Sequence, residues 1–198
     1  GAVLRAGDKA LTASGARMLL RLSDRSTIKL GEATEFLIET LATVPEGRGG
    51  ATRMTAGMRV VTGVFRYATD VTSKALGNKT ELNLQLATAT VGIRGTDFWA
   101  MTDADHDAVC VFEGKVAVLR DAKAEINLEK PGAFWVTFTG QPEQPAGQAT
   151  PEQLAKFIGQ AEMQPGQGVM LQGGRWRLVV ASGAGGTDAA ALRERLNA

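Results

Sequence analysis

"TVGIRGTDFWA", residues 90–100, sets two glycines three apart around an arginine and follows them with an acid and two aromatics. Gly92 and Gly95 let a strand bend or take backbone angles closed to other residues. Arg94 carries five donors in a rigid fork, suited to a carboxylate or to several carbonyls at a tight corner. Thr96 and Asp97 can satisfy nearby amides, and Phe98 or Trp99 then returns the chain to a core. Two readings are open. In one, Gly92, Arg94, Gly95, Thr96, Asp97 and Phe98 form a structural corner; in the other, Arg94 anchors an anion or ligand pocket. Upstream, Leu82, Leu84 and Leu86 alternate with Glu81, Asn83 and Gln85, the cleanest strand pattern in the chain.

The same period-two signature extends outward. Ala16, Met18, Leu20 and Leu22 alternate with Arg17, Leu19 and Arg21. After the turn chemistry of Ser23, Asp24, Arg25 and Ser26, Ile28 and Leu30 resume the apolar face, which predicts a β-hairpin. Phe36 and Ile38 alternate with Glu35 and Glu39. "VPEGRGGATR", residues 44–53, reads as a glycine-rich loop. "MRVVTGVFRY" is a strand that Gly63 bends or bulges. "DVTSKALGNK" predicts about two turns of helix stopped by Gly77. Downstream, "VCVFEG", "KVAVLR", "INLEKPG" and "AFWVTF" complete the β region near residue 138. Many short strands at about ten-residue spacing predict a mostly-β domain over residues 1–140, a sandwich or a solenoid.

Composition then shifts. The Pro/Gln/Gly run predicts a linker over residues 141–149. A helix follows over 150–164: Thr150 is its N-cap, Pro151 its first residue, and Gln153 completes a capping box. Leu154, Phe157, Ile158 and Ala161 form one apolar stripe, which predicts docking on the β domain. Residues 165–198 read as a small appendage of strand, strand and helix, with Gly173 and Gly174 as the hairpin turn.

The charge balance is near neutral, 22 basic against 21 acidic residues, which argues against a general nucleic-acid binder. The one cysteine, Cys110, and the one histidine, His106, exclude an intrachain disulfide and a structural zinc site of Cys/His type. No apolar run approaches the roughly 20 residues that span a bilayer, so no membrane span is expected. Gly1 in place of Met points to processing or trimming.

Four separated motifs carry a family resemblance: "LRAGDKALTASGARMLLRLSDRSTIKLGEATEF", "GVFRYATD", "ATATVGIRGTDFWA" and "VCVFEGKVAV". In this order and spacing, over about residues 3–140, they resemble the FecR domain. The chain departs from that pattern at Ala87, often proline in the family, and at Arg25, often glycine. The resemblance implies a bacterial extracytoplasmic, mostly-β domain, named after a regulator that relays siderophore signals across the inner membrane. The membrane helix and sigma-factor-binding segment of that regulator do not appear in this sequence. "GRWRLVVASGAGGTDAAALRERLNA" looks like the first strand and helix of a SPOR domain, a fold that recognises peptidoglycan glycan strands; Val179 and Gly183 depart from its pattern.

Candidate chemistry is sparse. Asp103, Asp105 and Asp107 alternate as in a calcium loop, but Ala108 stands where that loop needs glycine and Gly114 where it needs glutamate. They are expected to form a solvated hairpin tip, with His106 exposed among them. No metal site and no catalytic residue is assigned. Cys110 is expected to pack as a small hydrophobe. Arg175, Trp176 and Arg177 are candidate glycan contacts, as is Arg94, although Trp176 shares a strand face with Leu178 and Val180 that reads as core. No cofactor is implied.

The function expected from these readings is non-enzymatic binding or scaffolding in the bacterial envelope, with peptidoglycan glycan or an envelope protein as partner. The alternative is the periplasmic sensor part of a FecR-type transmembrane signalling system. A cell-wall hydrolase is the weaker alternative.

Overall fold

The computed structural model describes residues 3–46, 51–75, 78–94, 96–120 and 124–163. The compact unit treated below is Leu4–Gln164. The expected appendage over 165–198, with Arg175, Trp176 and Arg177, lies outside the described residues.

The chain is mostly β, as its alternation predicts. The strands are β1 (Lys9–Leu11), β2 (Met18–Arg21), β3 (Thr27–Leu30), β4 (Glu35–Glu46), β5 (Ala51–Ala68), β6 (Lys79–Gln85), β7 (Thr90–Arg94), β8 (Asp97–Thr102), β9 (His106–Glu113), β10 (Val116–Leu119), β11 (Ile126–Leu128), β12 (Ala133–Phe138) and β13 (Gly147–Gln148). Among the described residues two helices accompany the strands, α1 (Val71–Ala75) and α2 (Pro151–Ala161). Asp70 starts α1, its carboxylate accepting from the Ser73 amide at 2.9 Å.

One strand organises the fold. β5 is 18 residues long and changes partners along its length. Its first part pairs with β4 and, in parallel, with β6; its last part pairs with β3 and β8. The first half-sheet therefore holds β1, β4, β5, β6, β7, β10 and β11, and the second holds β2, β3, β5, β8, β9, β12 and β13. The change of partner falls at Gly63, whose φ is +105°. A Cβ there would lie 2.5 Å from Thr34 Cα, so neither the angle nor the space admits another residue. The bend expected at Gly63 is the fold-over of the whole sheet.

The two half-sheets share one apolar core. Phe36, Met58, Val60 and Leu84 come from the first; Ile28, Phe65, Tyr67, Phe98 and Trp135 come from the second. Phe65 lies between Phe36 and Phe98, with ring centroids 5.6 Å and 5.7 Å away. This is a sandwich built by doubling over a continuous sheet. The strand order is not that of a solenoid, in which each strand stacks on its successor.

Two buried aspartates tie the half-sheets at opposite ends of β6. Asp24, in the β2–β3 turn, accepts from the amide and hydroxyl of Ser26, both at 3.0 Å, and from the hydroxyl of Thr80 on β6. Asp107, on β9, accepts from the Thr88 amide at 2.6 Å, the Thr88 hydroxyl at 2.7 Å and the Thr102 hydroxyl. A buried carboxylate is stable only when hydrogen-bonded, and each of these is.

A second cluster covers the outer face of the second half-sheet. Val64, Trp99, Cys110 and Phe134 meet Leu154, Phe157 and Ala161 of α2, so these members of the apolar stripe dock within the chain as expected, while Ile158 stays exposed. Phe157 stacks on Trp99 with centroids 4.2 Å apart and planes 17° apart. The capping box forms: Thr150 Oγ1 accepts from the Gln153 amide at 3.2 Å, and the Gln153 side chain accepts from the Thr150 amide at 2.8 Å. At the other end, Arg17 donates to the carbonyls of Gly159 and Gln160 at 3.0 Å and 3.2 Å, satisfying acceptors that a helix leaves open.

Three sequence expectations change. The run 44–53 is not all loop, because β4 continues to Glu46 and β5 starts at Ala51. The 141–149 segment is not all linker, because Gly147 and Gln148 pair with β12 and Ala149 is buried under α2. The helix at 71 is five residues long, shorter than two turns.

Candidate functional site

The segment 90–100 spans both half-sheets: β7 belongs to the first and β8 to the second. Gly92 does not bend the chain. It sits mid-strand in regular register, opposite Asn83 on one side and Ala117 on the other. Arg94 ends β7 opposite Glu81. Gly95 and the Arg94 side chain lie outside the described residues, so the Arg94 pocket does too.

Asp97 has a partner that the local sequence does not reveal. Arg66 on β5 grips it with both ends of its fork, Nε to Oδ1 at 3.0 Å and Nη2 to Oδ2 at 2.8 Å. The pairing of β5 with β8 brings them together. Arg66 also donates to Glu162 at 2.9 Å and lies over the Phe112 ring, 5.0 Å from its centroid. Lys29 reaches the same Glu162 carboxylate. The Asp97 hydrogen bond raises the guanidinium's affinity for its proton against the cost of burial. This cluster anchors the C-terminal end of α2. Its charges are matched among the described residues, Arg66 and Lys29 against Asp97 and Glu162. Thr96 and Phe98 are both fully buried, and the Thr96 carbonyl accepts from the amide of Thr69 at 3.1 Å.

The acidic turn is also accounted for. Asp103 Oδ1 accepts from the amides of Asp105 and His106, each at 2.9 Å, and from His106 Nδ1. Partial burial raises the Asp103 pKa, and these hydrogen bonds outweigh it, leaving the carboxyl below its ordinary value. Asp107 points inward to Thr88 and Thr102, so the three aspartates do not converge. His106 is not a free, exposed ring. It is half-buried and stacks on Phe138 with centroids 5.5 Å apart. Cys110 is fully buried beneath α2, and burial pushes its thiol up to about 12, the behaviour of a packing residue.

Among the described residues, nothing covers the outer face of the first half-sheet. One cross-strand row runs Thr40, Gly57, Asn83, Gly92, Ala117, Asn127, each opposite the next in register. At about 4.8 Å between strands, five gaps make the row about 24 Å long. Its small members leave a shallow groove of about 600 Å³ over β6, β7, β10 and β11, rimmed by Glu81, Lys115 and Glu125. The glycine of the opening motif thus lowers the floor of this groove. The lining presents amides, carboxylates and an ammonium group, which suits contact with another surface. It brings together no nucleophile and base of the kind covalent chemistry requires.

Among the described residues no helix is long and apolar enough to cross a membrane. The sequence matches the family model described as FecR protein over residues 8–117. No curated protein matches it. Two crystal structures described as a candidate anti-sigma factor from Parabacteroides distasonis resemble it, with TM-scores of 0.57 and 0.58 at 15% identity. Each likeness covers 76% of this chain and 64% of that chain. At that identity it establishes a common fold. The SPOR-like reading of the C-terminal stretch gains no support. The family match runs from before β1 into β10, across the fold-over at Gly63 and through the whole GIRGTDF segment, and the chain belongs to the FecR family.

Proposed function

We propose that this chain is a sensor module of a FecR-type signalling relay at the bacterial envelope, and that it works by surface contact with protein partners. The observation that carries this reading is the family match across residues 8–117, more than half of the chain. The structural likeness to a candidate anti-sigma factor points the same way. These findings favour the sensor alternative over the scaffold reading, and nothing supports peptidoglycan as the ligand.

The physical mechanism is presentation of a rigid surface. The doubled sheet is tied at both ends by Asp24 and Asp107, and α2 covers its second face. Binding at the first face can therefore be passed on as a docked or undocked state without rearranging the core. No reaction is assigned to the module.

The test is deletion of the gene in its own bacterium, followed by sequencing of messenger RNA. The relay reading expects a discrete gene set that shares one promoter class to shift, and to return on complementation. An unchanged transcript profile across growth and envelope-stress conditions rejects it.

A further inference from the structure

We propose that the open face of the first half-sheet packs against the same face of a second copy, each copy's ridge of larger side chains lying in the other's groove. The proposal goes beyond the relay reading and does not depend on it.

The registers define both parts. Beside the groove row runs a second row, Leu37, Arg59, Gln85, Thr90, Leu119, each opposite the next. On β5, β6, β7 and β10 the two rows lie two residues apart, so they share a face about 6.8 Å from one another. Met58, Leu84, Val91 and Val118, between them, are buried, which turns both rows outward. Larger thus stands beside smaller on each strand: Arg59 beside Gly57, Gln85 beside Asn83, Thr90 beside Gly92 and Leu119 beside Ala117.

A two-fold axis that runs between the rows, parallel to them, exchanges ridge and groove. On these four strands every ridge residue then faces the groove residue two positions away in the other copy. Thr90 enters the space over Gly92. Gln85 meets Asn83, and each amide both donates and accepts. Packed sheets cross at about 30°, so the match is closest at the centre, on β6 and β7.

Charge and size both point to a second copy. Among the described residues, Arg59, Arg53 and Lys115 are held by Glu39, Glu81 and Glu129 of their own chain. These pairs leave little net charge to select an acidic or a basic partner, and a facing copy is not repelled. The face measures about 24 Å across the strands and, over the seven residues of β6, about 24 Å along them. That is about 600 Å² in projection, on the scale of the about 800 Å² that each partner gives to a standard interface.

The test is sedimentation of the full chain over a concentration series. We expect a dimer with a dissociation constant of about 1–100 μM. Gly92→Val fills the groove. A Cβ there lies 3.8 Å from its nearest neighbours, and valine suits a strand, so the monomer should keep its melting temperature. Dimerisation should weaken by about tenfold or more. Asn83→Lys, at an exposed position, sets an unpaired charge in the same interface and should weaken it as much; it serves if Gly92→Val melts early. A chain that stays monomeric to about 1 mM overturns the proposal. So does a dimer indifferent to both substitutions, which would place the contact elsewhere, as at the open edge of β4. A monomer with a shifted transcript profile rejects the dimer and keeps the relay; a dimer with an unchanged profile does the reverse.

Discussion

Replacing Phe157 with alanine should release α2 while leaving the doubled sheet folded. Phe157 is 8% exposed and stacks on two rings, Trp99 at 4.2 Å and Phe134 at 5.4 Å. Truncating a buried phenylalanine costs about 3–5 kcal/mol where the surroundings cannot collapse. Leu154 and Ala161 are the other apolar groups α2 packs into this cluster, and burial of an aliphatic side chain is worth about 1.5–3 kcal/mol at most. The substitution therefore removes about half or more of the docking energy. An isolated helix of 11 residues is marginal in water, so α2 should then both detach and melt. The main core contains none of its side chains. The assay is amide hydrogen exchange across residues 151–161, read beside thiol labelling of Cys110, which the same cluster buries. We expect exchange there to accelerate by about a hundredfold, a loss of about 3 kcal/mol, and Cys110 to become reactive. The rest of the chain should keep its protection. Unchanged protection of α2 and a silent Cys110 would refute the docking argument.

Gly63→Ala should prevent folding or cost more than about 3 kcal/mol, because the new Cβ strikes Thr34 at a left-handed angle; a urea melt reads the loss. Asp107→Ala leaves the donors of Thr88 and Thr102 unpaired and should cost about 2–4 kcal/mol by the same melt, with no loss of bound metal on elemental analysis. Cys110 holds its proton to about 12 in the fold, whereas an unfolded thiol loses it near 8.5. The unfolded state then binds fewer protons above that point. This contribution is fully present below about pH 8.5 and declines as pH rises toward about 12, a decline that Cys110→Ala should remove from the pH dependence of the melt.

Much of this architecture was legible in the residues. Alternation located the β2–β3 hairpin and β6, whose inward positions alternate with wetter ones, whereas β9 is buried on both faces from Asp107 to Val111. Thr150 and Gln153 announced α2 through chemistry local to four residues. Gly63 announced a bend, and the family pattern flagged Arg25, whose φ is 71°, an angle that favours glycine. Pairing was not legible. That β5 serves two half-sheets depends on contacts far apart in sequence, and neither length nor alternation encodes them. The same reason hid the Asp97 partner: Arg94 is three residues away, yet Arg66, 31 residues away, holds the carboxylate. Gly92 illustrates the reverse case. Its spacing suits a corner, but its place in the structure is the lack of a side chain in a straight strand. Only the register with Gly57, Asn83 and Ala117 shows that.

A contact relay makes no use of a reactive side chain, and that is the claim to test most directly. The measurement is transcript level of the responsive gene set in the deletion strain, complemented with the full gene carrying His106→Asn and Cys110→Ala together. Full recovery of the response is predicted, since the first residue braces a turn and the second fills a core. A folded double variant that stays silent would show that the module performs chemistry after all.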